Sequence, residues 1–304
     1  MGYSGWVSSV YEDRSASRRG MSTHEVREKV FSQGLHASLN PRGVAVRESR
    51  DSGNHPESNA IGVFFDVTGS MGTIPAHFAA HKLGHLMEML STRGVIPHPQ
   101  VLFGAIGDAH HDRSPFQVGQ FESGIEMDDC LTKVFIEGGG GGDVEESYGL
   151  AHYFFSRHTA IDCFEKRSKK GYLFTLGDEK AHDRITRAEA SGIFGDSLQS
   201  DVHLHDAINA AKERYNVFHI VVGGGSSHGD DPKIMAFWKE LLGQNVLKLD
   251  DPDNVCEMIA ATIGITEGKA IDAIESVLVG GGSSKRAAEA VTKAVGPLFA
   301  SLSV

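Results

Sequence analysis

Three oxygen-bearing side chains alternate in the stretch IGVFFDVTGSMG, Ile61 to Gly72: Asp66, Thr68 and Ser70. A carboxylate and two hydroxyls are hard donors, suited to Mg²⁺, Mn²⁺ or Ca²⁺. Gly69 and Gly72 lie among them and permit a tight loop in which all three side chains turn to one point. Two further acidic stretches could complete an oxygen shell. EGGGGGDVEES places Asp143 after a glycine run, and LFTLGDEKAHD places Asp178 directly after an apolar run. Three crowded carboxylates repel one another and hold on to protons, and a divalent cation among them removes that conflict. The candidate metal ligands are therefore Asp66, Thr68, Ser70, Asp143 and Asp178.

Such residues need a scaffold that brings separate loops to one edge. From Ile61 onward, short apolar runs alternate with helical patterns. AIGVFF, QVLFGAIG, GYLFTLG and VFHIVVGG read as buried strands, NVLKL as a last short one, and PFQVGQF alternates like an edge strand. IPAHFAAHKLGHLMEMLSTRG reads as one helix ended by Gly94. MDDCLTKVFI, EESYGLAHYFFSRHT, VHLHDAINAAKERYN, DPKIMAFWKELLG and PDNVCEMIAATIGI read as further helices. Strands separated by helices predict an α/β fold, a mostly parallel sheet with helices on both faces. Ligands of such sheets gather beyond the carboxyl ends of the strands, which is where the three acidic loops are expected.

Composition narrows the function classes. The 304 residues carry 29 Lys plus Arg against 40 Asp plus Glu, a net charge of −11. That balance argues against a broad nucleic-acid face. Hydrophobic residues make up 40%, enough for a sizeable core. No apolar run approaches the roughly 18 residues of a spanning helix, so no membrane partner is expected. The opening MGYSGWVSSVYEDRSASRRG has no apolar stretch of the kind that marks a secretory leader. Cys130, Cys163 and Cys256 are too far apart for a metal knuckle or a disulfide framework, which points to a reducing, cytoplasmic setting.

Three regions are expected: a polar N-terminal extension over 1–60, the α/β domain over 61–266, and a C-terminal helical extension over 267–304. In the last, a GGGSS joint precedes the helix KRAAEAVTKAVGPLF. Both ends carry apolar residues: Trp6, Val7, Val10, Val30 and Phe31 at one, Val291, Val295, Leu298 and Phe299 at the other. An assembly role follows as an expectation, with copies of the same chain or with another chain.

Asp-x-Thr-x-Ser at the end of the first core strand resembles the metal-ion-dependent adhesion site of von Willebrand factor type A domains. The resemblance runs in order over roughly residues 60 to 265. It implies that Asp66, Thr68 and Ser70 bind the metal and that Asp178 completes the site. The family usually has a Thr in its second loop, where this chain has glycines and then Asp143. GGGGGDVEE and IGDAHHD resemble a bacterial-type branch in that respect. The resemblance also implies a doubly wound sheet with one antiparallel edge strand, in agreement with PFQVGQF, and metal-mediated protein binding rather than catalysis. With Asp143 near the ion, three negative charges would hold it without a partner's carboxylate. His110, His111, Glu145 and His182 would then read the partner from the rim.

The same loop also resembles the Asp-Lys-Thr-Gly-Thr of phosphoryl-aspartate enzymes in the haloacid dehalogenase superfamily. That resemblance makes Asp66 a nucleophile, with Mg²⁺ held by Asp178 and with Asp183 in the second acidic loop. Thr68 stands where those enzymes carry an acid/base Asp, and neither Lys133 nor Lys170 is an evident phosphate anchor. Ser70 and the glycine run stay unexplained on that reading. Elsewhere, His77, His81 and His85 recur at a helical spacing that can bind Zn²⁺ but read as a packed or solvated face. His203 and His205 flank a helix start. GGGSSHGDD lacks the Gly-Lys-Ser/Thr ending of a phosphate loop and reads as a plain connection.

Overall fold

A computed structural model describes residues 3–18, 20–139 and 144–302. Its centre is a six-stranded sheet of β1 (Asn59–Asp66), β2 (Pro99–Ile106), β3 (Phe116–Val118), β4 (Gly171–Gly177), β5 (Tyr215–Val222) and β6 (Val246–Leu249). The spatial order is β6-β5-β4-β1-β2-β3. Every neighbouring pair is parallel except β2 with β3; β3 lies at the edge, as the alternation in PFQVGQF predicts, and runs antiparallel.

Side chains alternate across a strand, so a strand buried on both sides feeds two cores. In β1, Ile61, Val63 and Phe65 enter one core while Ala60 and Phe64 enter the other. Helices Gly149–Arg157, Leu204–Lys212 and Pro232–Leu242 cover the second face through Phe155, Ile208 and Trp238. Helices Ile74–His81, Glu126–Thr132 and Val255–Thr266 cover the first through Phe78, Leu131 and Ile259. At Gly62 an added Cβ would stand 2.2 Å from the Phe155 ring, so this glycine lets the Gly149–Arg157 helix lie close to the sheet.

Some expected elements differ. The single helix expected over 74–94 is two pieces, Ile74–His81 and Leu83–Met87, followed by a π-helical turn at Glu88–Thr92. The Tyr11 ring packs on Gly84 so closely that a Cβ there would lie 2.5 Å away. A helix absent from the sequence reading, Ile271–Gly280, precedes the glycine joint.

Both ends pack on the domain. Thr23–Lys29 starts with a capping box between Ser22 and Glu25, and Tyr11, Val26, Phe31 and Leu39 are buried in the first core. Arg18 makes a buried two-pronged pair with Asp128, at 2.6 and 3.2 Å. Arg47–Ser49 pairs in parallel with Thr159–Ile161. At the other end Val291, Val295 and Leu298 of the helix Lys285–Leu302 are buried in that same core. Those residues motivated the assembly role, and the chain covers them itself; Val7 and Val10 do remain exposed. The Phe299 side chain lies outside the described residues. Among the described residues no helix is long and apolar enough to cross a membrane.

Candidate metal centre

Because β4, β1 and β2 are adjacent and parallel, their carboxyl ends share one edge. Asp66 is the last residue of β1, Asp178 follows β4, and Asp108 lies two residues beyond β2. The loop after Asp66 turns tightly enough for its side chains to converge. The Thr68 N–H and hydroxyl both donate to Asp66 Oδ1, at 2.8 and 2.5 Å. Thr68 Oγ1 lies 3.2 Å from Ser70 Oγ, which donates to Asp178 Oδ1 at 2.7 Å. Asp66, Thr68, Ser70 and Asp178 therefore form one connected set of oxygens. Asp66, Thr68 and Asp178 are buried and Ser70 is half-buried, so the set opens toward solvent at Ser70.

The glycine run supports this loop through its backbone. Gly69 N–H donates to Gly139 O at 2.6 Å, and Gly138 N–H to Val67 O at 3.1 Å. Asp143 lies outside the described residues. Just after it, Glu145–Glu146 pairs in parallel with Lys180–Ala181 and carries Glu146 in beside Asp66.

Several contributors were missed by sequence reasoning. Tyr148 Oη donates to Asp66 Oδ2 at 2.5 Å, and the His228 N–H donates to Asp178 Oδ2 at 3.0 Å. Glu146 is buried, its carboxyl meets that of Glu179, and Asp66 and Asp108 are further charged neighbours. Glu146 shares the acidic run with Asp143, which was the available signal. Tyr148 sits in an ordinary helical pattern and gave none. GGGSSHGDD, read as a plain connection, also hydrogen-bonds to Ser70 O through the Ser227 N–H at 2.9 Å.

The electrostatics are those of crowded, buried carboxyls that hold on to protons. Burial pushes the Asp66 carboxyl up to about 7, against the hydrogen bonds from Thr68 and Tyr148, and the Asp178 charge adds to the rise. Burial, with the charges of Asp66 and Glu179, pushes Glu146 up to about 11. A divalent cation such as Mg²⁺ or Mn²⁺ could replace the protons these buried carboxyls retain, next to a ring of hard donors.

At the rim, Asp108 is fully buried and accepts from His182 Nε2 at 2.8 Å, from the His110 N–H at 3.0 Å, and from His111 Nδ1. Burial opposes its charge, but these hydrogen bonds outweigh that and hold its carboxyl below the ordinary range. Away from the site, His77 pairs with Asp253 at the surface and His85 with the buried Glu257, each at 2.8 Å; the His81 side chain is outside the described residues. Lys170 precedes β4, at the end remote from Asp178, and its Nζ donates to Lys212 O at 2.6 Å. Asp183 is an exposed partner of Arg184.

Gly177 makes the Tyr148 contact possible, since a Cβ there would stand 1.8 Å from Tyr148 Oη. Gly177→Ala is expected to push the phenol off Asp66 and cost about 1–3 kcal/mol through overpacking. A urea midpoint equal to wild type would contradict this.

No protein-family profile matches the chain, and no curated protein matches it. Among solved structures, the pilus adhesin SpaC from Lactobacillus rhamnosus GG, in its open conformation, is similar at TM-score 0.46 and 10% identity, over 76% of this chain and 31% of that one. A second SpaC structure gives 0.43 and 10%, over 76% and 32%. Proximal thread matrix protein 1 from the mussel byssus gives 0.42 and 11%, over 67% and 47%. The chain thus spans about a third of the adhesin's length. These likenesses are too distant to carry a function.

Proposed function

We propose that this chain is a metal-dependent protein-binding module of the von Willebrand factor type A kind, with a doubly wound domain and an adhesion-type ion site. Asp66, Thr68, Ser70 and Asp178 would hold Mg²⁺ or Mn²⁺, directly or through water. The observation that carries this reading is their convergence on one point at the carboxyl edge of the sheet. Glu146 supports a second feature. Protonated in the absence of an ion, it would give up that proton to a cation and take the part expected of Asp143, since hard-cation sites gain affinity with ligand charge. The ion is then held before any partner arrives, and the loops it orders present the exposed His110, His111 and Glu145 to a protein partner, a second copy or another chain of an assembly, with His182 behind them.

Both oxygens of Asp66 are hydrogen-bonded and its side chain is fully buried, which suits a ligand better than a nucleophile. Titration calorimetry with Mn²⁺ is expected to show binding to wild type and at least tenfold weaker binding to Asp66→Ala. Equal affinity would sink the ion site. Phosphate release from phosphomonoesters in Mg²⁺, abolished by Asp66→Asn, would instead favour the phosphohydrolase.

A further inference from the structure

A different set of ligand-bearing side chains stands beside the oxygen site, on the loops after β2 and β4. Asp108, His110 and His182 bring one carboxylate oxygen and two imidazole nitrogens within 4.8 Å of one another. The His110 and His182 rings lie 4.1 Å apart between centroids. Imidazole with carboxylate is a borderline donor set, preferred by Zn²⁺ and Co²⁺ over the all-oxygen shell that suits Mg²⁺.

Outer contacts prepare the cluster for an ion. While His182 Nε2 faces Asp108, its Nδ1 stands 3.4 Å from Glu145 Oε2. A metal on Nε2 would leave the ring proton on Nδ1 facing that carboxylate, the arrangement that orients ligating histidines. Glu189 Oε1 stands 3.4 Å from His110 Nε2 and offers a further oxygen at the exposed edge. The backbone is pinned on both sides. The Asp108 N–H donates to Asp112 Oδ2 at 2.8 Å, and the His182 N–H donates to Glu146 O at 3.1 Å. A cavity of about 10 Å³, lined in part by Ser147, His182 and Glu189, adjoins the cluster and has room for one water-sized species. Donors on tetrahedral zinc stand roughly 3.3 Å apart, so binding opens the 2.8 Å contact between His182 and Asp108 a little and draws the widest pair in by about 1.5 Å at most. His110, half exposed on a turn, is free to make that movement.

We propose that Asp108, His110 and His182 form a second metal site, for a borderline divalent cation such as Zn²⁺, separate from the hard-cation site at Asp66. The ion would tie the loop after β2 to the loop after β4. It stands independently of the ion proposed at Asp66.

The test uses Co²⁺ as the probe. Full-length chain in saturating Mg²⁺ is titrated with Co²⁺, following visible absorption and heat. One equivalent is expected to bind with the intense bands of a low-coordinate nitrogen–oxygen site. His110→Ala, an exposed change that leaves the core untouched, and His182→Ala are each expected to weaken Co²⁺ by at least about tenfold. Asp66→Ala, coupled to Asp108 only through their shared neighbour Glu146, is expected to weaken Co²⁺ clearly less than His110→Ala does, and His110→Ala to weaken Mg²⁺ clearly less than Asp66→Ala does. Unchanged Co²⁺ binding in both histidine variants overturns the proposal. So does loss of Co²⁺ in Asp66→Ala to the same extent as in His110→Ala, which would assign the ion to the oxygen site. Absence of Co²⁺ binding to wild type at millimolar concentration overturns it outright.

Discussion

Asp66→Asn is expected to make the metal-free protein more stable than wild type at pH 8, and to abolish stabilisation by Mg²⁺. The wild-type carboxyl is held near pH 7 in the folded state, against about 4 when unfolded. Between those values the folded state keeps a proton that the unfolded state has lost. Stability therefore falls as pH rises through the window, and the full penalty is present above about pH 7. Its size is on the order of 4 kcal/mol, and the amide removes it while still accepting from Thr68. Glu146, pushed up to about 11 in part by the Asp66 charge, contributes a slope of the same sign that Asp66→Asn also relieves, so the comparison reads the coupled pair. On the proposed ion site, a divalent ion would bind the charged form and reverse the trend. Wild-type melting should rise on Mg²⁺ addition by more at pH 8 than at pH 5, with a difference on the order of 5 °C. Melting curves of both proteins, with Mg²⁺ and with chelator at each pH, decide it. An equal Mg²⁺ effect at the two pH values, or a persistent one in Asp66→Asn, would refute the linkage.

Trp238→Ala should be the most damaging change outside the ion's own ligands. Trp238 is fully buried, stacks on His219 at 3.7 Å, and meets the Tyr148 ring edge to face at 5.5 Å. Its indole N–H donates to Glu179 O at 3.0 Å, one residue beyond Asp178. Truncation opens a large cavity and costs about 3–5 kcal/mol. It also frees both the phenol that holds Asp66 and the backbone that carries Asp178, so ion affinity should fall with stability. Trp238→Phe keeps most of the volume and loses only the N–H. It should cost about 1–2 kcal/mol and retain most of the affinity. Denaturant midpoints and Mn²⁺ calorimetry on the two variants separate packing from hydrogen bonding. A wild-type midpoint for Trp238→Ala would remove the indole from this supporting role.

What was readable from the chain follows from short-range physics. Apolar runs of strand length, alternating with helical patterns, can be buried only in a sheet covered on both faces. Hence β1, β2, β4 and β5 were legible in the chain, and so was β3 as an edge strand, though not its direction. Asp66, Thr68 and Ser70 were legible too, because alternate oxygen donors between glycines have one economical arrangement, and Asp178 follows its strand directly. The break near Lys82 and the helix Ile271–Gly280 were not legible, since tertiary contacts rather than local pattern set them. The assembly role read from the apolar C-terminal face depended on which surface covers that face, and Val291, Val295 and Leu298 find it within their own chain. Nor was most of the site's wall legible. Tyr148 lies 82 residues from Asp66, and Gly177 admits it by lacking a Cβ. Glu146 comes to Asp66 because a two-residue pairing carries it there, and Asp108 comes to His182 because β4, β1 and β2 are neighbours. Residue type and spacing select the chemistry a loop can do; strand order, known only when the sheet is formed, selects which distant loops share that chemistry.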